Sequence, residues 1–319
     1  MTGMPRSLFA LVLAAAAMPA LAWDSFGHMV VADLAWRDLK ANAPGQLARV
    51  DALLKLNPGY SKWIKGVPAS ARQEVAFVQA AHWADDIKSA HSGYVADGAN
   101  GGDTGVEPVA SYNLGYAPKD KAMHKYWHFV DAGFSPDGTP IAATPVPNAQ
   151  ERIVLFAQTL ASPTASDALK SYDLSWLIHL VGDIHQPLHA TTRFTADAPA
   201  GDAGGNFVKV SCARAAACPN ELHAVWDDIL GTATSPATAI AYAATLTIPT
   251  GAAVQTTDDV WAAESRQMAE ADAYAGIGDA TDGTHRLSGA YLAQAKADAN
   301  QRVALAGARL SWLIQQNLR

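Results

Sequence analysis

The stretch from His179 to His189 reads His-Leu-Val-Gly-Asp-Ile-His-Gln-Pro-Leu-His and gathers metal-ligand side chains more densely than any other part of the chain. His179 and Asp183 are four residues apart. On a helix that spacing stacks both side chains on one face, with Cβ atoms about 5–6 Å apart, a chelating arrangement. Residues 172–184 are apolar enough to form a buried helix, where an inward His and Asp would be costly without a cation to satisfy them. Pro187 is expected to end that helix, so that His189 leaves in a new direction. One element can then serve two metals, with the second oxygen of Asp183 offered to a third. A single His in an apolar helix is more often a core residue bonded to backbone. Here the pair recurs, because His223 and Asp227 are again four apart in the apolar segment Glu221–Asp227.

Three further segments carry the same donor types. Removing residues 1–22 would turn Trp23 into a new amino terminus, whose free amine and carbonyl oxygen can chelate a metal, and His28 follows within reach of it. Trp83-Ala84-Asp85-Asp86-Ile87-Lys88 adds carboxylates at a helix end, and Tyr126-Trp127-His128-Phe129-Val130-Asp131 adds a His in an aromatic setting. Each alone reads as an ordinary amphipathic segment. Together they supply imidazole nitrogen and carboxylate oxygen without thiolate, a donor set that suits zinc in a catalytic site.

The elements that must position these residues are helical. Residues 26–39, 69–87, 148–160, 171–184, 219–230, 256–275 and 287–316 each carry apolar side chains at spacings of three and four, the helical period. Asn148 is placed to cap its segment, with Glu151 at the third helical position. Strand signals are nearly absent, so an all-α fold is expected, as one compact multi-helix domain over residues 23–319. Two long Gly-rich loops, 93–120 and 191–220, flank the ligand segments, and loops of that length are usually functional or disordered.

Residues 1–22 hold Arg6, an apolar run from Leu8 to Ala17 and Ala-Leu-Ala at 20–22, the pattern of a secretory signal peptide cleaved after Ala22. The expected product is secreted or periplasmic and is not held in a membrane, since no later stretch reaches the roughly 20 apolar residues of a spanning helix. Cys212 and Cys218, six apart in an exported chain, are expected to form a disulfide. The net charge is −7, or −8 once Arg6, the one charged residue of positions 1–22, is removed. Such a balance argues against a nucleic-acid binder with a basic face, unless bound cations make the site locally positive.

With these residues in view, the chain resembles the zinc-dependent S1/P1 nuclease family. The resemblance rests on the Trp23 start, His28, Trp-Ala-Asp85, His128-Phe129, His179-x3-Asp183-x5-His189, Gly-Gly-Asn206 and His223-x3-Asp227, in that order. It implies an all-α fold of the phospholipase C/P1 nuclease type and three zinc ions. One would be held by Asp85, His128, His179 and Asp183, a second by His189, His223 and Asp227. The third would be held by the amine and carbonyl of Trp23, His28 and the other oxygen of Asp183. Asp85 would orient the nucleophile and Lys88 would contact the phosphate, with the third ion at the departing 3′ oxygen. Phe129 would stack on a base whose edge Asp131 and Asn206 read. The implied substrates are single-stranded DNA, RNA and nucleotides, cut to 5′-phosphorylated products, with 3′-nucleotidase activity and a monomeric enzyme expected. His82, His91, His124, His185 and His285 receive no role from the resemblance.

Two rival readings remain. A zinc-dependent phospholipase C is similar in fold and also starts its metal site at an N-terminal Trp, but has Glu where this chain has Asp227, and Phe129, Asp131 and Asn206 suit a nucleobase better than a choline head group. A zinc carrier would need closed coordination, and would have no use for Lys88, Phe129 and Asn206 beside the metals.

Overall fold

A computed structural model describes residues 23–89, 91–95, 122–213, 218–279 and 283–318. Most of the 93–120 loop therefore lies outside the described residues. Among those described, eleven α-helices dominate. They are α1 (Ser25–Asn42), α2 (Pro44–Leu54), α3 (Tyr60–Trp63), α4 (Arg72–Ala80), α5 (Trp83–Asp86), α6 (Ala149–Ala161), α7 (Asp167–Asp183), α8 (Leu222–Asp228), α9 (Pro236–Ala243), α10 (Asp258–Met268) and α11 (Gly289–Asn317). Four strands of three residues each complete the set: β1 (Ala132–Phe134), β2 (Thr191–Arg193), β3 (Val210–Cys212) and β4 (His285–Leu287). No described helix is long and apolar enough to cross a membrane.

Two helices occupy the middle. Asp24 starts α1 by accepting the Ser25 N–H, and every residue from Phe26 to Trp36 is buried, because α11, α9 and α4 pack around it. Ser166 starts α7 by accepting the Leu169 N–H at 3.2 Å, and Leu169–Asp183 are buried without a break between α6, α2 and α11. A helix enclosed on all sides has no amphipathic stripe. Helices α1 and α11 approach closely at Gly307, where a Cβ would meet Leu34 Cβ at 2.5 Å and Val31 O at 3.0 Å. Gly307→Ala is accordingly expected to destabilise the fold by about 1–3 kcal/mol, read as a lowered denaturation midpoint; an unchanged midpoint would show that the two helices can part without loss.

The expected helix over 69–87 is broken in a way that serves the site. Asp85 N–H bonds to His82 O at 3.1 Å rather than to Ala81 O, as a continuous α-helix would require. The Ala81 carbonyl is thereby left to accept from His179. Likewise α7 stops at Asp183, before Pro187; Gln186 N–H turns back to Asp183 O at 2.9 Å, and Pro187–His189 form a 3-10 turn. Helices α2 and α9 were not marked by the spacing of apolar residues; both begin with Pro as the first helical residue.

The short ladders also fix ligand segments. β1 pairs in parallel with β2, and just before it Val130 N–H bonds to His189 O at 2.8 Å, which stitches the His128 segment to the His189 turn. β3 pairs in parallel with β4, and Cys212 and Cys218 are joined by a disulfide. Buried apolar residues form two clusters, a large one around α1 and α7 and a smaller one holding Leu188, Leu222, Val225 and Trp226.

Candidate metal centre

The site lies at the seam of the two apolar clusters. His28 on α1, Asp85 on α5, His179 and Asp183 on α7 and His128 come from elements of the larger cluster, whereas His189 and the α8 pair His223 and Asp227 adjoin the smaller one. All of these side chains are buried except that of Asp85, which is 12% exposed. Asp183 stands between them. Its Oδ2 lies 3.0 Å from His179 Nε2 and 3.2 Å from His128 Nδ1, and its Oδ1 lies 3.3 Å from His28 Nε2 and 3.9 Å from His189 Nδ1. Asp85 Oδ1 is 3.7 Å from His179 Nε2 and 3.8 Å from His128 Nδ1, and Asp85 Oδ2 is 3.9 Å from His28 Nε2. Across the seam, Asp227 is 3.8 Å from His189 Nε2 and 3.4 Å from His223 Nε2.

Three backbone carbonyls set how the rings face. His179 Nδ1 donates to Ala81 O at 2.7 Å, His189 Nδ1 to His128 O at 2.8 Å, and His223 Nδ1 to Gly204 O at 2.8 Å. With the proton on Nδ1, each Nε2 turns a lone pair inward; the tautomer follows from the bond that the other nitrogen makes. His189 Nε2 and His223 Nε2 then face each other at 3.1 Å, lone pair against lone pair. His28 is held closely by Gly182, where a Cβ would lie 2.8 Å from its Nδ1. Neither ring nitrogen of His28 and neither oxygen of Asp183 is in hydrogen-bonding geometry with any partner.

The electrostatics agree with a cation site. Burial, and then the neighbouring His179, push His28 down to about 4; burial and Lys88 push His128 down to about 3, so both rings are neutral at pH 7. Burial opposes ionisation of Asp183, but the neighbouring His179 outweighs it and holds the carboxyl well below the usual range. Burial raises Asp227 well above that range, and Asp228, Asp183 and Asp85 add to the effect against the bond from Gln186. Buried lone pairs and mutually repelling carboxyls in one place are an arrangement that a polycation relieves. Among the described residues, ligand atoms fall into three groups: His28, Asp85 and His179; His128, His179 and Asp183; His189, His223 and Asp227.

A family model described as S1/P1 nuclease matches residues 23–319. The chain belongs to the S1/P1 nuclease family. No curated protein gives a significant match. S1/P1 nucleases are zinc-dependent phosphoric-ester hydrolases, and the nitrogen and oxygen donors facing one another here fit zinc.

The other residues expected at the site are Trp23, Lys88, Phe129, Asp131 and Asn206. Trp23 is fully buried; its indole N–H donates to Gly182 O at 3.0 Å, and the next backbone N–H, of Asp24, donates to Asp227 O at 3.2 Å. That residue is thereby pinned between the two His/Asp pairs. Lys88 Nζ lies 2.6 Å from Asp85 Oδ1. Phe129 is partly exposed, its ring edge-on to Tyr126 at 5.5 Å. Asp131 adopts φ +55°, and burial followed by the nearby Asp202 carboxylate pushes its carboxyl up to about 7. Asp202 in turn accepts from Gly205 N–H at 3.1 Å, next to Asn206, whose amide donates to Ala203 O at 2.7 Å. Asp131 and Gly205, the neighbour of Asn206 in sequence, thus border the same buried carboxylate.

Some contributors carry no sequence signal. Gln186 donates to Asp227 Oδ1 at 2.6 Å and accepts from the Leu188 N–H, and the carbonyls of Ala81, His128 and Gly204 act through backbone that any residue could supply. Among the five unassigned histidines, His185 is buried with Nδ1 donating to Val181 O at 2.7 Å, His124 stacks on Trp127 with centroids 3.6 Å apart, and His82 pairs with Asp86 at 3.2 Å.

Proposed function

We propose that the chain is an exported phosphodiesterase with three zinc ions, which hydrolyses single-stranded DNA and RNA to 5′-phosphorylated products and removes 3′-phosphate from nucleotides. The observation that carries this reading is the buried Asp183 carboxylate. It is ringed by His28, His128 and His179 with no hydrogen-bonding geometry to any of them, in a chain of the S1/P1 family. The ligand sets would be Asp85, His128, His179 and Asp183; His189, His223 and Asp227; and Trp23 with His28 and Asp183. When bound, zinc would supply the Lewis acidity that activates water and neutralises phosphoryl charge.

The protein's own groups do the rest. Lys88 offers a point charge to a phosphate oxygen from beside Asp85, and Asp85 accepts a proton or orients water on the side facing His28 and His179. Phe129 presents a π face, which any unstacked base can use; that requirement favours single strands over duplex. One domain from Trp23 onward is supported by the family match, which begins at that residue. Export is supported by the Cys212–Cys218 bond.

Protein starting at Trp23 should cleave labelled single-stranded DNA and RNA faster than duplex and lose both activity and stability on chelation, since its buried ligands would be left unpaired. A chelator-resistant activity, or hydrolysis of phospholipid with none of nucleic acid, would overturn the reading. Phe129→Ala is expected to raise KM for single strands by about 5- to 150-fold, the equivalent of roughly 1–3 kcal/mol of stacking, with zinc content unchanged by elemental analysis. An unaltered KM would move the base site elsewhere.

A further inference from the structure

The chain beyond Asp228 bears no residue of the metal centre, yet it carries two buried guanidinium groups aimed at the end of α7. Arg309 is 0% and Arg302 5% exposed. Arg309 Nη1 donates to His185 Nε2 at 2.9 Å, and His185 Nδ1 donates onward to Val181 O at 2.7 Å. Arg302 Nε donates to His185 O at 3.2 Å, and its Nη2 to Ser265 Oγ at 2.6 Å; Ser265 Oγ in turn donates to Ile184 O at 2.6 Å. Glu264 joins the two cations, accepting from Arg309 at 2.7 and 2.9 Å and from Arg302 at 3.1 Å. Further bonds from Arg309 to Ala253 O, at 3.1 and 2.8 Å, hold the guanidinium in place.

The carbonyls of Val181, Ile184 and His185 flank Asp183 on both sides. They are groups that a helix end leaves without intrahelical partners, and a positive charge is favourable there. Stability alone does not account for this arrangement, because a buried ion network can often be replaced by apolar residues at no loss of stability. What the network does supply is a fixed path for the chain from Asp183 to His189. Those two residues belong to different halves of the centre, and the His189 ring approaches Asp183 Oδ1 to 3.9 Å at its Nδ1.

We propose that Arg302 and Arg309, with Glu264, Ser265 and His185, form a positioning clamp that holds Asp183 against His189 and so sets the geometry of the metal centre. The proposal rests on the zinc reading above and assigns none of these residues a contact with metal or substrate. Groups bonded directly to metal ligands typically alter metal affinity about 10- to 100-fold; the clamp acts through the backbone beside Asp183, so the lower end of that range is expected.

The test uses the whole protein from Trp23, stripped of metal and titrated with cobalt(II), whose visible absorption reports ligand geometry. Ser265→Ala and Arg302→Met are expected to bind cobalt about tenfold more weakly than the parent, with a shifted spectrum and with kcat falling more than KM rises. Arg302→Lys, which keeps the charge and can still reach the His185 carbonyl, should fall between. Val50→Ala, a destabilising change in α2 at a residue 1% exposed, should leave the spectrum as in the parent. If Arg302→Met fails to fold, the milder Ser265→Ala decides. A folded Ser265→Ala protein with the parent's affinity and spectrum would overturn the clamp, and so would a Val50→Ala protein that shows the same loss. Parent protein that takes up neither cobalt nor zinc would overturn the metal reading, and the clamp with it.

Discussion

Asp183→Asn is expected to leave the protein folded in shape but deficient in zinc, with the rate on single-stranded substrate lowered by about 10³-fold or more. Asn matches Asp in size, so packing at a fully buried position is kept. Its charge is lost, and one of its two terminal atoms becomes an NH2 donor turned toward imidazole nitrogens. Oδ1 and Oδ2 of Asp183 lie within 3.3 Å of His28, His128 and His179, so the substitution removes a ligand from two of the three proposed zinc sites at once. A Lewis acid contributes several kcal/mol to a phosphoryl-transfer transition state, and each loss of about 1.4 kcal/mol is tenfold in rate. Zinc per chain, measured by elemental analysis beside single-turnover kinetics, checks both parts. Full zinc content with a near-parental rate would show that Asp183 is no shared ligand and would return it to the status of a buried core carboxyl.

The helices and the metal centre differed in how far they could be read from sequence, for physical reasons. His179 and Asp183 were legible because a His and an Asp on one face of an apolar helix are costly to bury without a cation, and the structure brings them to 3.0 Å. Helix α6 was legible through its cap, since Asn148 Oδ1 accepts from Gln150 and Glu151 N–H at 3.0 and 3.2 Å. The end of α4 was not, although α7 ends within one residue of the expected 184. Helix α4 stops where the Ala81 carbonyl leaves the helical ladder for His179, and no local pattern announces a partner so distant in sequence. The ladders β1–β2 and β3–β4 escaped because three residues are too few to show an alternation. In the C-terminal third, Arg302 and Arg309 fall on a long helix where Arg ordinarily faces water, and only the fold reveals that both are enclosed.

The order of the chain also shows how the two halves of the centre come to meet. His179 and Asp183 are presented by a helix buried along its length, so their positions are fixed by the core. His223 and Asp227 sit on a seven-residue helix packed on the smaller apolar cluster. Between them the protein adds hydrogen bonds to the apolar packing of Ile229, which touches both clusters: Gln186 to Asp227, Val130 N–H to His189 O, and Asp24 N–H to Asp227 O. Directional bonds fix distance where a dispersive contact would leave play, which is what opposed ligands a few ångström apart require.

Adding even two residues, Gly-Ser, before Trp23 is expected to remove one zinc ion and lower turnover by about 10³-fold, while the ions held by side chains alone remain. The reason is that an α-amine binds zinc and a peptide nitrogen does not, so the terminus would become a ligand only after residues 1–22 are removed. The surroundings of Trp23 leave little freedom to compensate. Its indole is anchored to Gly182 O at 3.0 Å, Gly27 could not carry a Cβ without meeting Trp23 Cβ at 2.9 Å, and Asp24 N–H is tied to Asp227 O. The ring thus holds Trp23 beside Asp183. The magnitude follows from losing one Lewis acid at the departing oxygen, again several kcal/mol. The measurement compares zinc content and rate for the extended protein and for protein beginning at Trp23, after circular dichroism shows that both are folded. Equal zinc and equal rates would remove the terminus from the ligand set and leave Trp23 as an apolar anchor for α1.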